Sequence, residues 1–283
     1  MAPELAWGER TWLMGILNLT ADSFSGDGLA ASDRTAREVV DAALALGREF
    51  VAAGAEILDV GAESSRPRNA YGEHEPIDAA DEAALAIPVV RTLVAELGDR
   101  AIVSIDTSKG AVARAALDAG ARIVNDVWAG RRDPGTAAAA AEAGAHLVVM
   151  HNQDGNEYPR GLFETVRTWL SESSDAAEAA GVRTDRIIVD PGIGFGKGTA
   201  ANLELLRRLG ELKEALGNRP LLIGTSRKRF IGELTGGAPP EDRLEGTAAT
   251  TALAIAAGAD IVRVHDVAAM ARVRDVADAI MRR

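Results

Sequence analysis

The sequence predicts an α/β fold, a (β/α)8 barrel of the TIM type built as one domain over 1–283. Three observations predict it: a repeated four-residue joint, eight short apolar runs separated by helical patterns, and polar residues at the exits of those runs. The joint reads AGAE before Ile57, AGAR before Ile123, AGAH before Leu147 and AGAD before Ile261. Gly54, Gly120, Gly144 and Gly258 each follow an Ala-rich stretch, where a glycine in the left-handed conformation commonly ends a helix. The apolar run after each joint has the pattern of a parallel strand buried on both faces.

In chain order, strands are expected at 12–19, 57–60, 102–105, 123–127, 146–150, 187–189, 221–223 and 261–264. Helical patterns between them include 35–53, 78–97, 111–119, 163–180, 201–216 and 244–257. The runner-up, an open doubly wound sheet, is disfavoured because no G-x-G-x-x-G turn follows the first strand. The strand exits carry Asn18, Asp59, Asp106, Asn125 with Asp126, His151, Asp190, Ser226, and Arg263 with His265. In a barrel these ends converge on one face, where active sites are built. Any one of them could simply cap the next helix; the set as a whole points to a site.

Composition narrows the partner. A formal charge of −11 without a basic stripe argues against nucleic acid and anionic membranes, and favours small-molecule substrates. With no cysteine, disulfides, thiolate metal sites and cysteine nucleophiles are excluded. Acidic residues in the first ten positions, and no uncharged apolar stretch of about 18 residues, predict a soluble, cytoplasmic protein. Aromatics make up only 4% of the chain, so the core must be filled by Ala, Val, Ile and Leu.

At the strand exits the chain resembles the dihydropteroate synthase family, over roughly Leu13 to Met281. The matching segments, in family order and spacing, are MGILNLTADSFSGDG at 14–28, DVGAESSRPR at 59–68, SIDTSK at 104–109, IVNDV at 123–127, VVMH at 148–151, VDPGIGFGK at 189–197, GTSRKRFIG at 224–232 and RVHDV at 263–267. The chain departs from the family at Ala21, where Pro is usual, at Ala62 and Ser65, where Gly and Thr are typical, and at Arg68, where Gly is. An AYGEH insertion precedes Pro76.

The resemblance implies the condensation of a pterin diphosphate with p-aminobenzoate through a dissociative, SN1-like pterin cation. Catalysis would fall to Asp106, Asp190, Lys228 and Arg263. A pterin's adjacent amino and ring N–H groups match the two oxygens of a carboxylate, so Asp106 and Asp190, with Asn125, Met150 and Lys228, are expected in the pterin pocket. Lys228 stands out in a chain whose 31 basic residues include only Lys109, Lys197, Lys213 and Lys228 as lysine; it keeps a compact ammonium between two arginines. Ser65, Arg66, Pro67 and Phe195, with Lys228, are expected to hold p-aminobenzoate. Asn18, Arg66, Arg263 and His265 are expected to clamp the diphosphate, with Asn18 also offering its side-chain oxygen to Mg2+, the expected cofactor and metal. The family further implies a homodimer.

Other features have simpler readings. GIGFGK at 192–197 lacks G-x-x-x-x-G-K-[ST] spacing and so is not read as a nucleotide loop. No Ser–His or Cys–His pair is apparent as a covalent nucleophile, and no His/Asp/Glu set has zinc spacing. His146, at a strand entry, reads as structural, and His151, at an exit, as a cap, a packing residue or a site residue. Loops 20–31 and 61–77, rich in Gly, Ser and Asn, are candidate lids. A non-catalytic pterin-binding paralogue, or a pterin-dependent methyltransferase of the same superfamily, would share the pterin residues; the methyltransferase should lack the SRPR and SRK segments, and both are present.

Overall fold

A computed structural model describes residues 4–20, 28–29, 34–63 and 77–282. The strands are β1 Trp12–Asn18, β2 Ile57–Gly61, β3 Ile102–Asp106, β4 Ile123–Asp126, β5 His146–Met150, β6 Ile187–Asp190, β7 Leu222–Ile223 and β8 Ile261–Val264. The helices are α1 Ala36–Ala52, α2 Ala79–Leu97, α3 Gly110–Asp118, α4 Gly135–Ala143, α5 Leu162–Ala179, α6 Thr199–Arg207, α7 Leu209–Ala215, α8 Arg229–Leu234, α9 Leu244–Ala256 and α10 Val267–Met281. All eight strands form one parallel sheet in the order β6-β5-β4-β3-β2-β1-β8-β7. A bridge between Val189 and Leu221 joins its two edges, with Val189 N–H donating to Pro220 O at 2.8 Å. The fold is therefore the expected (β/α)8 barrel. No described helix is long and apolar enough to cross a membrane.

The repeated joint is one structural device used four times. Gly54, Gly120, Gly144 and Gly258 have φ of 104°, 103°, 59° and 94°. The next alanine's N–H reaches back to Phe50, Ala116, Ala140 and Ala254 at 2.8–3.0 Å, while the glycine N–H bonds a carbonyl three residues earlier, the pattern that closes a helix end around a left-handed residue. Ala55, Ala121, Ala145 and Ala259 are all buried, so a small side chain is needed where each chain turns inward.

Strand alternation then builds the interior in layers. Met14, Ile57, Ile102, Ile123, Val148, Ile188, Leu222 and Ile261, one from each strand, pack together inside the barrel. The alternate residues, such as Leu58, Val103, Val124 and Val149, pack outward beneath the helices. Leu5, Trp7 and Trp12 close the barrel at its strand-entry end, where Trp12 Nε1 donates to Ala6 O at 2.9 Å. His146 belongs to this floor: its ring meets Trp7 edge-on at 5.9 Å, and burial, reinforced by Arg186 and Arg122, pushes its imidazole down to about 4.

Two differences from the sequence reading have local causes. The helix expected over 201–216 breaks at Arg208, whose φ of −112° and ψ of 18° leave the helical ladder, and its N–H bonds Leu205 O three residues back. The seventh strand begins at Leu222 because the Leu221 N–H is taken by the Asp260 carboxylate at 2.9 Å.

Candidate active site

Continuing each strand two residues past the apolar layer reaches polar ground: Ile57 leads to Asp59, Ile102 to Ser104 and Asp106, Ile123 to Asn125, Ile188 to Asp190, and Ile261 to Arg263. Asp59, Asp106, Asn125 and Asp190 are all buried. Arg263 crosses from β8, with Nε 2.7 Å from Asp59 Oδ2 and Nη2 2.8 Å from Asp106 Oδ2. Asn125 Nδ2 donates to the same Asp59 oxygen at 3.0 Å. Burial pushes the Asp106 carboxyl up to about 8; Arg263 pulls against this, and Asp59 adds to the rise. Asp59 Oδ1 and Ser104 Oγ are buried without a hydrogen-bond partner. The cluster thus holds two acids on one cation, with acceptor capacity to spare.

Asp190 stands across the mouth, its Oδ1 accepting Gly192 N–H at 2.7 Å. Burial raises its pKa while the Lys228 ammonium lowers it. Lys228 donates to Ile193 O and sits 4.6 Å above the Phe195 ring. Gly194 makes this possible: its φ is +85°, and a Cβ there would come 2.8 Å from Lys228 Cδ. Met150 is buried and pairs in register with Asp190.

Asp106, Asn125, Met150, Asp190, Lys228 and Arg263 therefore share one face of the barrel, with Phe195 beside Lys228. Arg263, expected in the diphosphate clamp, is here engaged by Asp59 and Asp106. His265, two residues on, has its backbone N–H and Nδ1 at 3.1 and 2.9 Å from Ser226 Oγ. The ends of strands seven and eight bring Ser226 and His265 together, and the bond fixes the imidazole's orientation. Asn18 ends β1, half-buried, and its carbonyl accepts Leu29 N–H at 3.0 Å. Ser65, Arg66 and Pro67 lie outside the described residues, as do most of the two candidate lids.

The expected Mg2+ on Asn18 is overturned. Among the described residues no three His, Asp or Glu side chains gather into a group able to hold a metal ion. Of the interior acids, Asp59 and Asp106 pair with Arg263, and Asp190 accepts the Gly192 amide.

Asp59 was noted as a strand exit but not as a site residue; the two-residue step from Ile57 was the signal that it faces inward. His151 turns away from the cluster. It is buried edge-on to Trp169 at 5.1 Å, with Nδ1 2.8 Å from Lys197 Nζ. Burial and then Lys197 hold its imidazole far below its ordinary range. The 192–197 loop is no phosphate cradle, because its amides are spent internally: Gly192 N–H on Asp190, Gly194 N–H on Asn202 Oδ1 at 2.7 Å and Phe195 N–H on Gly192 O at 3.0 Å.

Comparison with known proteins agrees with this geometry. A family model described as pterin binding enzyme matches residues 14–265. A dihydropteroate synthase of Bacillus subtilis (strain 168) is 43% identical over 277 residues, covering 98% of this chain and 91% of that protein. A crystal structure of dihydropteroate synthase from Clostridium difficile in the presence of pteroic acid superposes with a TM-score of 0.88 at 42% identity, covering 98% of this chain and 99% of that one. One from Xanthomonas albilineans with 4-aminobenzoic acid gives 0.85 at 41% identity, covering 96% and 93%. A barrel whose interior changes from apolar floor to acid-lined mouth, matched at this identity over nearly its whole length, belongs to the dihydropteroate synthase family.

Proposed function

We propose that the chain condenses 6-hydroxymethyl-7,8-dihydropterin diphosphate with p-aminobenzoate, giving 7,8-dihydropteroate and diphosphate. The observation that carries this is the pairing of two unlike groups in one mouth: a buried acid cluster on Arg263 and an aromatic ring under the Lys228 ammonium. Asp106, Asp190 and Asn125 take the pterin's donor edge, with Met150 against its ring. A buried carboxylate facing N–H donors makes charge-assisted bonds of about 1.5–3 kcal/mol each. Phe195 packs on the aminobenzoate ring, Ser65, Arg66 and Pro67 bind the same substrate, and Lys228 bridges the two substrates. Arg66, Arg263, Asn18 and His265 draw off the diphosphate.

As the exocyclic carbon–oxygen bond breaks, positive charge spreads over the pterin, and Asp190, with Asp106 once it has given up the proton that burial holds on it, is placed to stabilise that charge. The arylamine nitrogen then attacks the exocyclic carbon and loses its proton. Fixed charges in a buried site do this without reorganising. The test is to mix the protein with both substrates and follow diphosphate and dihydropteroate. Tight pterin binding without product would overturn the synthase reading and leave a non-catalytic pterin binder.

A second copy of the chain is the partner that the outer surface supports. Val276, Ile280 and Met281 on α10 are 63%, 67% and 50% exposed and line an apolar groove with Ala248, Ala252 and Ala256 of α9. Such a face on a monomer is costly to leave in water. Ile280→Asp should shift the chain from dimer to monomer by sedimentation; a wild-type chain that is monomeric at micromolar concentration would overturn the dimer.

A further inference from the structure

Lys197 is a buried lysine that the condensation does not use. It is 7% exposed and, among the described residues, forms no ion pair. Burial pushes its pKa well below the usual lysine range, with Asp190 opposing and Lys228 adding to the fall. Its nitrogen has three close neighbours instead: His151 Nδ1 at 2.8 Å, Gly192 O at 2.9 Å and Phe195 O at 2.8 Å. An apolar stem ending in a buried polar head is expensive unless every contact is made, and here each neighbour is a hydrogen-bonding atom.

These contacts join a turn that is otherwise held by single bonds to Asp190, Asn202, Lys228 and Tyr158 rather than by a helix or strand ladder. Gly192, Gly194 and Gly196 have φ of 66°, 85° and 56°, so the chain reverses direction at alternate residues with no helix or strand ladder. Such glycines lose more conformational freedom on ordering than any other residue. Lys197 reaches back over this turn and binds the carbonyls of its first residue and of Phe195. His151, at the end of β5, ties the staple to the barrel wall. Asn202 completes it, taking Gly194 N–H on its oxygen and donating to Lys197 O at 3.2 Å.

We infer that Lys197 is a positioning residue: it locks the 192–197 turn so that the Phe195 ring stays under the Lys228 ammonium as a rigid wall of the arylamine slot. This rests on the synthase reading for the identity of the arylamine, though the staple itself does not. A wall that must be ordered at each binding event weakens binding of the ligand it contacts, and of that ligand only. Of the deep pterin layer, Asp106, Asn125 and Arg263 come from β3, β4 and β8, away from the turn, while Asp190 meets it through the Gly192 N–H.

Lys197→Met keeps the stem and removes the donors. The expected result is a KM for p-aminobenzoate raised roughly tenfold, with kcat and dihydropterin affinity changed by less than about twofold. Amide hydrogen exchange over 192–197 should speed up while β5 and β6 stay protected. Combined with Phe195→Ala, the loss should be less than multiplicative, because both variants remove the same wall. Lys197→Gln, with a shorter donor head, should restore part of the effect, and it serves alone if the methionine variant does not fold. An unchanged KM, unchanged exchange or a fully multiplicative double variant would overturn the inference. A wild-type chain that makes no product overturns the synthase reading instead, and the exchange comparison still decides whether Lys197 is the staple.

Discussion

Two of the barrel's buried acid–cation clusters, one at each end, are built on opposite terms. At the strand-entry end Asp260, from the AGAD joint, pairs with Lys213 at 2.6 Å and accepts Leu221 N–H at 2.9 Å, while Lys213 also donates to Gly258 O at 2.7 Å. One acid meets one cation, and backbone groups complete both. At the exit end, two acids share Arg263, Asp106 holds its proton to about 8, and Asp59 Oδ1 is unsatisfied. The first arrangement is complete in itself. The second is complete only when something brings donors to it, which is how buried charge marks a site rather than a clasp.

The sharpest way to break that contrast is to cut the clasp. Lys213→Met strands a carboxylate that is 1% exposed, and should cost about 3–5 kcal/mol of stability in denaturant titration while leaving the KM of both substrates unchanged. A stable variant with impaired turnover would erase the distinction. Asp106→Asn is the mirror image. It should weaken dihydropterin binding by roughly ten- to a hundredfold, the worth of one charge-assisted contact, with melting temperature unchanged or raised. Calorimetry on the same sample reads both.

A third effect lies in pH. The folded Asp106 carboxyl keeps its proton to about 8, against an ordinary value of 3.8. Between those values the unfolded chain binds fewer protons than the folded one, so this group's contribution makes stability fall as pH rises through the window. Asp106→Asn should flatten that slope. Dihydropterin affinity in the wild type should strengthen as pH approaches 8 and the carboxylate forms. Equal pH slopes for wild type and variant would mean that the mouth is as settled as the floor.

Much of this was legible in the sequence because it is local. The AGA joints located the helix ends, and the period of two located the inward faces, so Asp106, Asn125, Asp190 and Arg263 could be placed on one mouth before any partner was known. Partners are a different matter. Arg263 meets Asp59 from 204 positions away, and no local pattern states that distance. Lys197 was visible as a rare lysine, yet its bond to His151 depends on where β5 ends. The same holds for Lys109, which bonds Glu63 and the buried Glu82 from two other elements.

The floor sealed by Leu5, Trp7 and Trp12 makes the barrel a vessel with one opening. Traffic through it is a queue. Whatever settles against Asp59 and Asp106 has to enter from the strand-exit end, where Lys228 and Phe195 also lie. Of two ligands held one above the other in such a vessel the deeper must load first, so a loading order can be set at the closed end, away from the polar cluster.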